Sequence, residues 1–266
     1  MHLVLSHASA LSPAAAQAAS TLQLPHLERL LARLGTAEPD RGDELSLSPP
    51  HERALAAARG WALTDGLLPF AAEQARADGL AVQPGDEGWG LLSPGHWHVG
   101  TDQVSMTDPA TLELDEAGSR IYFAALAPLF ADDGWALHWG APSRWYASHP
   151  TLRELPTASL DRVVGRNVDL WLTTHPAARL LRRLQAEAQM LLYNHPANDA
   201  REARGLRPVN SFWLSGTGPT PDLRATPDPT LQHDDRLRAP ALAEDWTAWA
   251  EAWAALDAGP LRALLD

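Results

Sequence analysis

The residues best able to do chemistry fall into three groups. His96-Trp97-His98 puts two imidazoles on alternate positions. On a strand such positions share a face, so both side chains could meet one metal ion, with Asp102 and Asp108 close in sequence. Hydrogen-bonded histidines beside a tryptophan have the same spacing. Mn or Zn at His96, His98 and Asp102 is therefore the lesser expectation, and no cofactor the main one. Ser215-Gly216-Thr217-Gly218 is a glycine turn that could offer N–H groups to an anion, but the chain has no GxSxG elbow and the ordinary reading is a strand terminator. The densest group runs from Arg179 to Gly218. Arg182, Gln185 and Gln189 share one side of an expected helix. His195, Asn198 and Arg201 follow around a proline-set turn, and Asn210 lies on the next strand. A guanidinium fork, two amides and a proton-dependent imidazole make a cradle for a carboxylate or phosphate. The rival reading is a solvated helix face followed by an Asx-stabilised turn. The expected ligand-binding residues are His195, Asn198, Arg201 and Asn210.

The elements that must position these residues alternate between helix and strand, which favours an α/β sheet with helices on its faces. Leu3 to Leu5 predict a first strand. Pro25 opens a helix with Leu27, Leu30, Leu31 and Leu34 on one face and Gly35 as its stop. Ser48 reads as a cap with Pro49 as the first helical residue. From Trp89 to Met106 short strands are expected, broken at Ser93-Pro94-Gly95 and Gly100-Thr101. Ser119 caps a helix toward Phe130, Trp135 to Trp139 alternate as a strand, and Val168 to Leu172 is a further strand candidate. Thr174 reads as the cap of a helix whose stripe is Leu180, Leu181, Leu184, Ala188, Leu191 and Leu192. Val209 to Leu214 predict a strand. Residues 217–240 are proline-rich and without periodicity, an expected loop within a single α/β domain over 1–266. Trp246, Trp249, Trp253 and Leu256 mark a last helix. The chain stops at Leu264-Leu265-Asp266 in what reads as a new helix start, which points to a missing last segment.

Composition narrows the function. The 266 residues are 45% hydrophobic and 20% charged, the profile of a globular protein. There is no cysteine, which removes thiolate nucleophiles, disulfides and Cys-based zinc or iron–sulfur sites. All 21 basic residues are Arg, which excludes a Walker-A lysine and a Schiff-base lysine. A net charge of −12 disfavours nucleic acid and anionic membrane as partners. No apolar run reaches the ~18 residues that span a bilayer. No basic residue precedes Arg29 and the apolar core is only Leu3-Val4-Leu5, so a signal peptide is not expected and the cytoplasm is the expected location.

Four stretches carry a resemblance. They are Ser48-Pro-Pro-His51-Glu52-Arg53, Pro94-Gly-His96-Trp97-His98-Val-Gly100-Thr-Asp102, Ser159-Leu-Asp161-Arg162-Val-Val-Gly165-Arg166, and the run Tyr193-Asn-His195-Pro196-Ala-Asn198 through Arg201, Gly205, Pro208, Asn210 and Trp213 to Gly218. Together they resemble the proteobacterial RpfE-type regulatory proteins. The segment from His195 to Gly218 is also similar to archaeal-type cofactor-independent phosphoglycerate mutases of the alkaline phosphatase superfamily. Leu24-Pro25-His26-Leu27 resembles a helix start of that superfamily, and Trp249 to Leu265 its terminal helix. The resemblance implies a central mixed sheet flanked by helices, with a small strand-rich insertion.

Where the superfamily's first strand ends in a metal-binding Asp, this chain has Ser6-His7. Only Asp222, Asp228, His233, Asp234 and Asp235 fall where the later metal cluster belongs, without its spacing. Two-metal phosphoryl transfer needs both ions to hold the attacking and leaving oxygens. The resemblance with these departures implies a non-catalytic regulatory protein, a pseudoenzyme that binds a small anionic ligand or a protein partner. The alternative is a metal-dependent phosphoryl-transfer enzyme, either phosphoglycerate mutase or phosphatase.

Overall fold

A computed structural model describes residues 2–9, 12–35, 40, 42–85, 87–221 and 230–265. The chain forms two compact units, Met1–Arg41 with Pro227–Asp266, and Gly42–Thr226, instead of one domain over 1–266. The second boundary falls in the proline-rich stretch 217–240 that the sequence marks as a loop.

The first unit opens with β1 (His2–Leu5), α1 (Pro13–Ser20) and α2 (Pro25–Leu31). The second contains α3 (Pro50–Ala58), α4 (Phe70–Ala77), β2 (Gly88–Gly95), β3 (Trp97–Val99), β4 (Val104–Met106), α5 (Glu116–Asp132), β5 (Ala136–Ala141), β6 (Arg144–His149), α6 (Leu160–Val163), α7 (Ala178–Tyr193), α8 (Pro196–Glu202) and β7 (Ser211–Ser215). The chain then returns to the first unit with β8 (Leu231–Asp234), α9 (Arg238–Leu242) and α10 (Trp246–Leu256).

In the larger unit the sheet order is β5-β6-β2-β7, every pairing antiparallel. Only two residues join β5 to β6, which permits nothing but an antiparallel hairpin. The parallel pairing, β1 on β8, belongs to the smaller unit, so the mixed α/β character is spread over separate sheets. Alternation assigns the two faces of the four-stranded sheet. Leu92, Trp145, Ala147, Phe212 and Leu214 face α5 and α7, whose stripes are Tyr122, Leu126, Phe130 and Leu181, Leu184, Ala188, Leu192. Trp89 and Tyr146 face α4 through Ala71, Ala72 and Ala75. Trp213 joins Met106, Val163, Val168 and Trp171 in a separate cluster.

Several local expectations change. The strand β2 runs straight through Ser93-Pro94-Gly95. It pairs with β6 only over Gly88–Leu92 and with β7 over Leu91–Gly95, so the missing N–H of Pro94 costs no β6 bond. Val168–Trp171 is a 3₁₀ turn and not a strand, because the Asn167 carboxamide accepts the N–H of Asp169 at 3.0 Å. Asp115, not Ser119, caps α5, and the buried Ser119 hydroxyl instead joins Trp145 Nε1 to the carbonyl of Pro142. Ser48 does not cap α3; its hydroxyl accepts the N–H of Gly66 at 2.9 Å. Within 217–240, β8 and the start of α9 are ordered elements. Asp222 and Asp228 lie outside the described residues.

In the smaller unit Trp249, Trp253 and Leu256 bury the last helix against Leu24 and Leu237. The helix α2 has no capping side chain of its own. The buried carboxylate of Asp257 accepts the N–H of His26 at 3.1 Å and of Leu27 at 2.8 Å. Among the described residues no helix is long and apolar enough to cross a membrane.

Candidate functional site

The end of the first strand is where a phosphoryl-transfer metal centre of the resembled type needs a carboxylate. Here β1 and β8 run parallel, and Ser6 extends the ladder by donating its N–H to the carbonyl of Asp234 at 3.3 Å. The Ser6 side chain is buried and lies 3.3 Å from His233 Nε2. His7 follows in a left-handed conformation (φ 56°), and its carbonyl accepts the indole N–H of Trp249 at 3.0 Å. Burial pushes the Asp234 carboxyl up, but the hydrogen bonds and charge of Arg236 outweigh it and hold it below the usual carboxylate range. A neutral hydroxyl, an imidazole and a carboxylate already gripped by a guanidinium do not fit a two-metal centre for hard dications.

The densest sequence group comes together around the N-terminus of α8, in the larger unit. His195 caps the helix, its Nδ1 accepting the N–H of Ala197 at 3.2 Å, and its ring lies 5.6 Å from that of Tyr122. Asn198, 5% exposed, spends its whole carboxamide inside the fold. Its Oδ1 accepts from Tyr122 OH at 2.7 Å and from Val209 N–H at 2.9 Å. Its Nδ2 donates to the carbonyls of Leu192 and Val209 at 2.8 and 2.9 Å. Arg201, 8% exposed, donates to the carbonyls of Arg207 (2.7 Å) and Leu112. Asn210 bridges the backbone of Trp97, accepting its N–H at 2.7 Å and donating to its carbonyl at 2.9 Å. These four residues hold the loop between α8 and β7 against β3 and α5. Most of their hydrogen bonds go to peptide groups, which is how side chains lock a turn. Burial raises the Tyr122 phenol to about 12, so it remains a donor to Asn198.

The histidine pair does not converge either. His96 Nδ1 lies 3.0 Å from the carbonyl of Pro208, and burial lowers its pKa. His98 and Asp102 are exposed, and the ligand atoms of His96, His98 and Asp102 form no common cluster among the described residues. The reason is that β2 ends at Gly95 and β3 begins at Trp97, so the two histidines do not share one regular strand.

A second polar cluster had no role assigned from sequence, although its two stretches carried part of the resemblance. The segments 47–48, 65–66 and 157–159 are laced together. Asp65 accepts the N–H groups of Leu47 (2.9 Å) and Ser48 (2.8 Å), and Leu47 and Gly66 accept those of Ser159 and Thr157. This brings the first turn of α3 onto the first turn of α6. Ser159 Oγ donates to Glu52 Oε1 at 2.5 Å, and His51 Nε2 lies 3.1 Å from Asp161 Oδ2. Burial raises the Glu52 carboxyl to about 7, against the Ser159 hydrogen bond and the charge of His51. A carboxyl that titrates near neutrality beside a hydroxyl and a His–Asp pair has the means for acid–base work. The signal that could have found it is the pairing of two ionisable dipeptides, His51-Glu52 and Asp161-Arg162, each just after a helix start.

No family model matches the chain. A stretch of 61 residues, 23% of this chain, is 34% identical to the 2,3-bisphosphoglycerate-independent phosphoglycerate mutase of Methanothrix thermoacetophila, and covers 16% of that protein. Among solved structures, the cofactor-independent phosphoglycerate mutase from Thermoplasma acidophilum aligns at 16% identity and a TM-score of 0.39, over 82% of this chain and 58% of that one. The PH0037 protein from Pyrococcus horikoshii aligns at 13% identity and a TM-score of 0.44, over 97% of this chain and 59% of that one. The chain thus spans less than two thirds of each relative. It is a mixed α/β protein with a distant similarity to cofactor-independent phosphoglycerate mutases.

Proposed function

We propose that this chain is a non-catalytic, phosphoglycerate-mutase-like regulatory protein of RpfE type, which acts in the cytoplasm by binding a small anion or a protein partner. The observation that carries this reading is the end of the first strand. A buried Ser6 hydroxyl beside His233 stands where a metal carboxylate is needed, and Arg236 occupies the neighbouring Asp234. Without those carboxylates, the described residues there do not hold the pair of dications that neutralises a transferring phosphoryl group. The fold can persist after the chemistry is lost. Metal analysis of the purified full chain, with a phosphoglycerate turnover assay in added Mn and Zn, tests it. Stoichiometric metal together with turnover would overturn the reading.

A second reading, metal-dependent phosphoryl transfer, is favoured by one observation: Glu52 titrates near neutrality against Ser159, with His51 and Asp161 alongside. That reading requires turnover that Glu52→Gln abolishes.

A further inference from the structure

Helix α7 carries a second stripe, on the side away from the sheet. Leu181, Leu184, Ala188 and Leu192 bury one side of it in the core. At about 100° per residue the opposite side presents Arg179, Arg182, Arg183, Ala186, Met190 and Tyr193, and all six are exposed. Met190 is 69% and Tyr193 82% exposed, so two large side chains three residues apart on one helix face have no cover. Arg183 pairs with Asp133, and Arg182 donates to the carbonyl of Thr173 at 2.8 Å. The Arg179 guanidinium has no hydrogen-bond or ion-pair partner among the described residues. The stripe also has a two-fold pattern. Arginines stand three, four and seven residues before Ala186. Neutral side chains stand three, four and seven residues after it, the last two being Met190 and Tyr193.

Charge selects what covers this face. A helix is positive at its N-terminus, so arginines in its first half oppose its own dipole. In α7 no acidic residue of the first turn offsets them, and no basic residue occupies the last turn. An antiparallel copy of the same helix supplies what is missing, because its negative C-terminal half then lies beside the arginines. With the two-fold axis at Ala186, Arg179 of each copy meets the ring of the other copy's Tyr193, a cation–π pair, and Arg182 lays its alkyl stem on the other copy's Met190. Ala186 meets itself on the axis, where its small side chain lets the helices approach to about 8 Å. Each chain carries a net charge of −12, so two copies repel over most of their surface, and this stripe contains no carboxylate. We propose that α7 is the interface of a symmetric homodimer, its two helices packed antiparallel about Ala186. Such an interface is isologous and closes on itself. One face of a helix about 24 Å long is small for a protein interface, so the dimer forms at concentrations on the order of tens of micromolar. This goes beyond the non-catalytic reading above and does not depend on it.

Sedimentation velocity on the full chain, from about 1 to 300 µM, is expected to show a monomer giving way to a dimer. Ala186→Arg places a long charged side chain on the axis. Arginine is a good helix former and the position is exposed, so the fold should persist, as circular dichroism checks, while the dimer weakens by roughly tenfold or more. The chain has no cysteine, so Ala186→Cys introduces a single thiol. Mild oxidation should link that variant to itself as a disulfide dimer. Tyr193→Cys should not link to itself, because antiparallel pairing holds its two copies about 21 Å apart, far beyond disulfide reach. Three results would overturn the proposal: a monomer over the whole concentration range, association unchanged in Ala186→Arg, or Tyr193→Cys linking to itself as readily as Ala186→Cys. Phosphoglycerate turnover would instead sink the non-catalytic reading and leave the dimer result standing.

Discussion

Asn198 satisfies four buried groups with one carboxamide: the Tyr122 hydroxyl, the Leu192 carbonyl and both peptide groups of Val209. Truncation strands all four, so Asn198→Ala should lower stability by about 2–4 kcal/mol. Urea unfolding measures this, and a loss below about 0.5 kcal/mol would contradict the turn-lock role. The sequence marks Asn198, Arg201 and Asn210 for ligand binding, and the structure gives each of them backbone partners. Their partners Tyr122, Leu112 and Trp97 lie 76 to 113 positions away, and only the fold brings them together. Glu52 gives a second test at this scale. Its folded pKa of about 7 exceeds the ordinary 4.5, so the folded state holds the proton more tightly. Its contribution is complete below pH 4.5 and is lost as pH rises through 7. The histidines 96, 138 and 149, whose pKa values burial lowers, act with the opposite sign, losing stability as pH falls through 6.5. The difference between wild type and Glu52→Gln isolates the carboxyl. From pH 5 to 8 wild type should lose about 2–3 kcal/mol relative to the variant. Parallel pH profiles of urea midpoints would show that Glu52 ionises normally.

Among the elements, strong periodicity was legible and local chemistry less so. The leucine stripe of α7 and the tryptophan stripe of α10 follow directly from 3.6-residue spacing. The proline at position 94 reads as a break, but which side of β2 has a partner there is a property of the whole sheet. The 168–172 stretch has strand-like side chains and yet turns, because one Asn side chain competes for the backbone. Capping of α2 was also out of reach of sequence, since its acceptor, Asp257, lies 230 residues downstream. Burial pushes the Asp257 carboxyl up, and the N–H donors of Leu27 and His26 outweigh it and hold it down. Asp257→Ala removes an acceptor from the positive end of a helix and orphans two N–H groups. It should destabilise the Met1–Arg41 and Pro227–Asp266 unit by about 1–2 kcal/mol. Hydrogen exchange at the amides of His26 and Leu27 reports this, and unchanged protection there would contradict the cap.

For the whole molecule, the α/β class was readable from the alternation of elements, and the division into two units was not, because nothing local distinguishes a loop within a unit from one between units. The similarity to phosphoglycerate mutases covers a short stretch of sequence, so the functional reading stands on the chemistry of particular positions and above all on Ser6. The most direct measurement is interconversion of 2- and 3-phosphoglycerate by the purified full chain, with Mn or Zn added, followed by ³¹P NMR. The account predicts no conversion above the protein-free control with either metal. Conversion that depends on added metal and scales with protein concentration would contradict it.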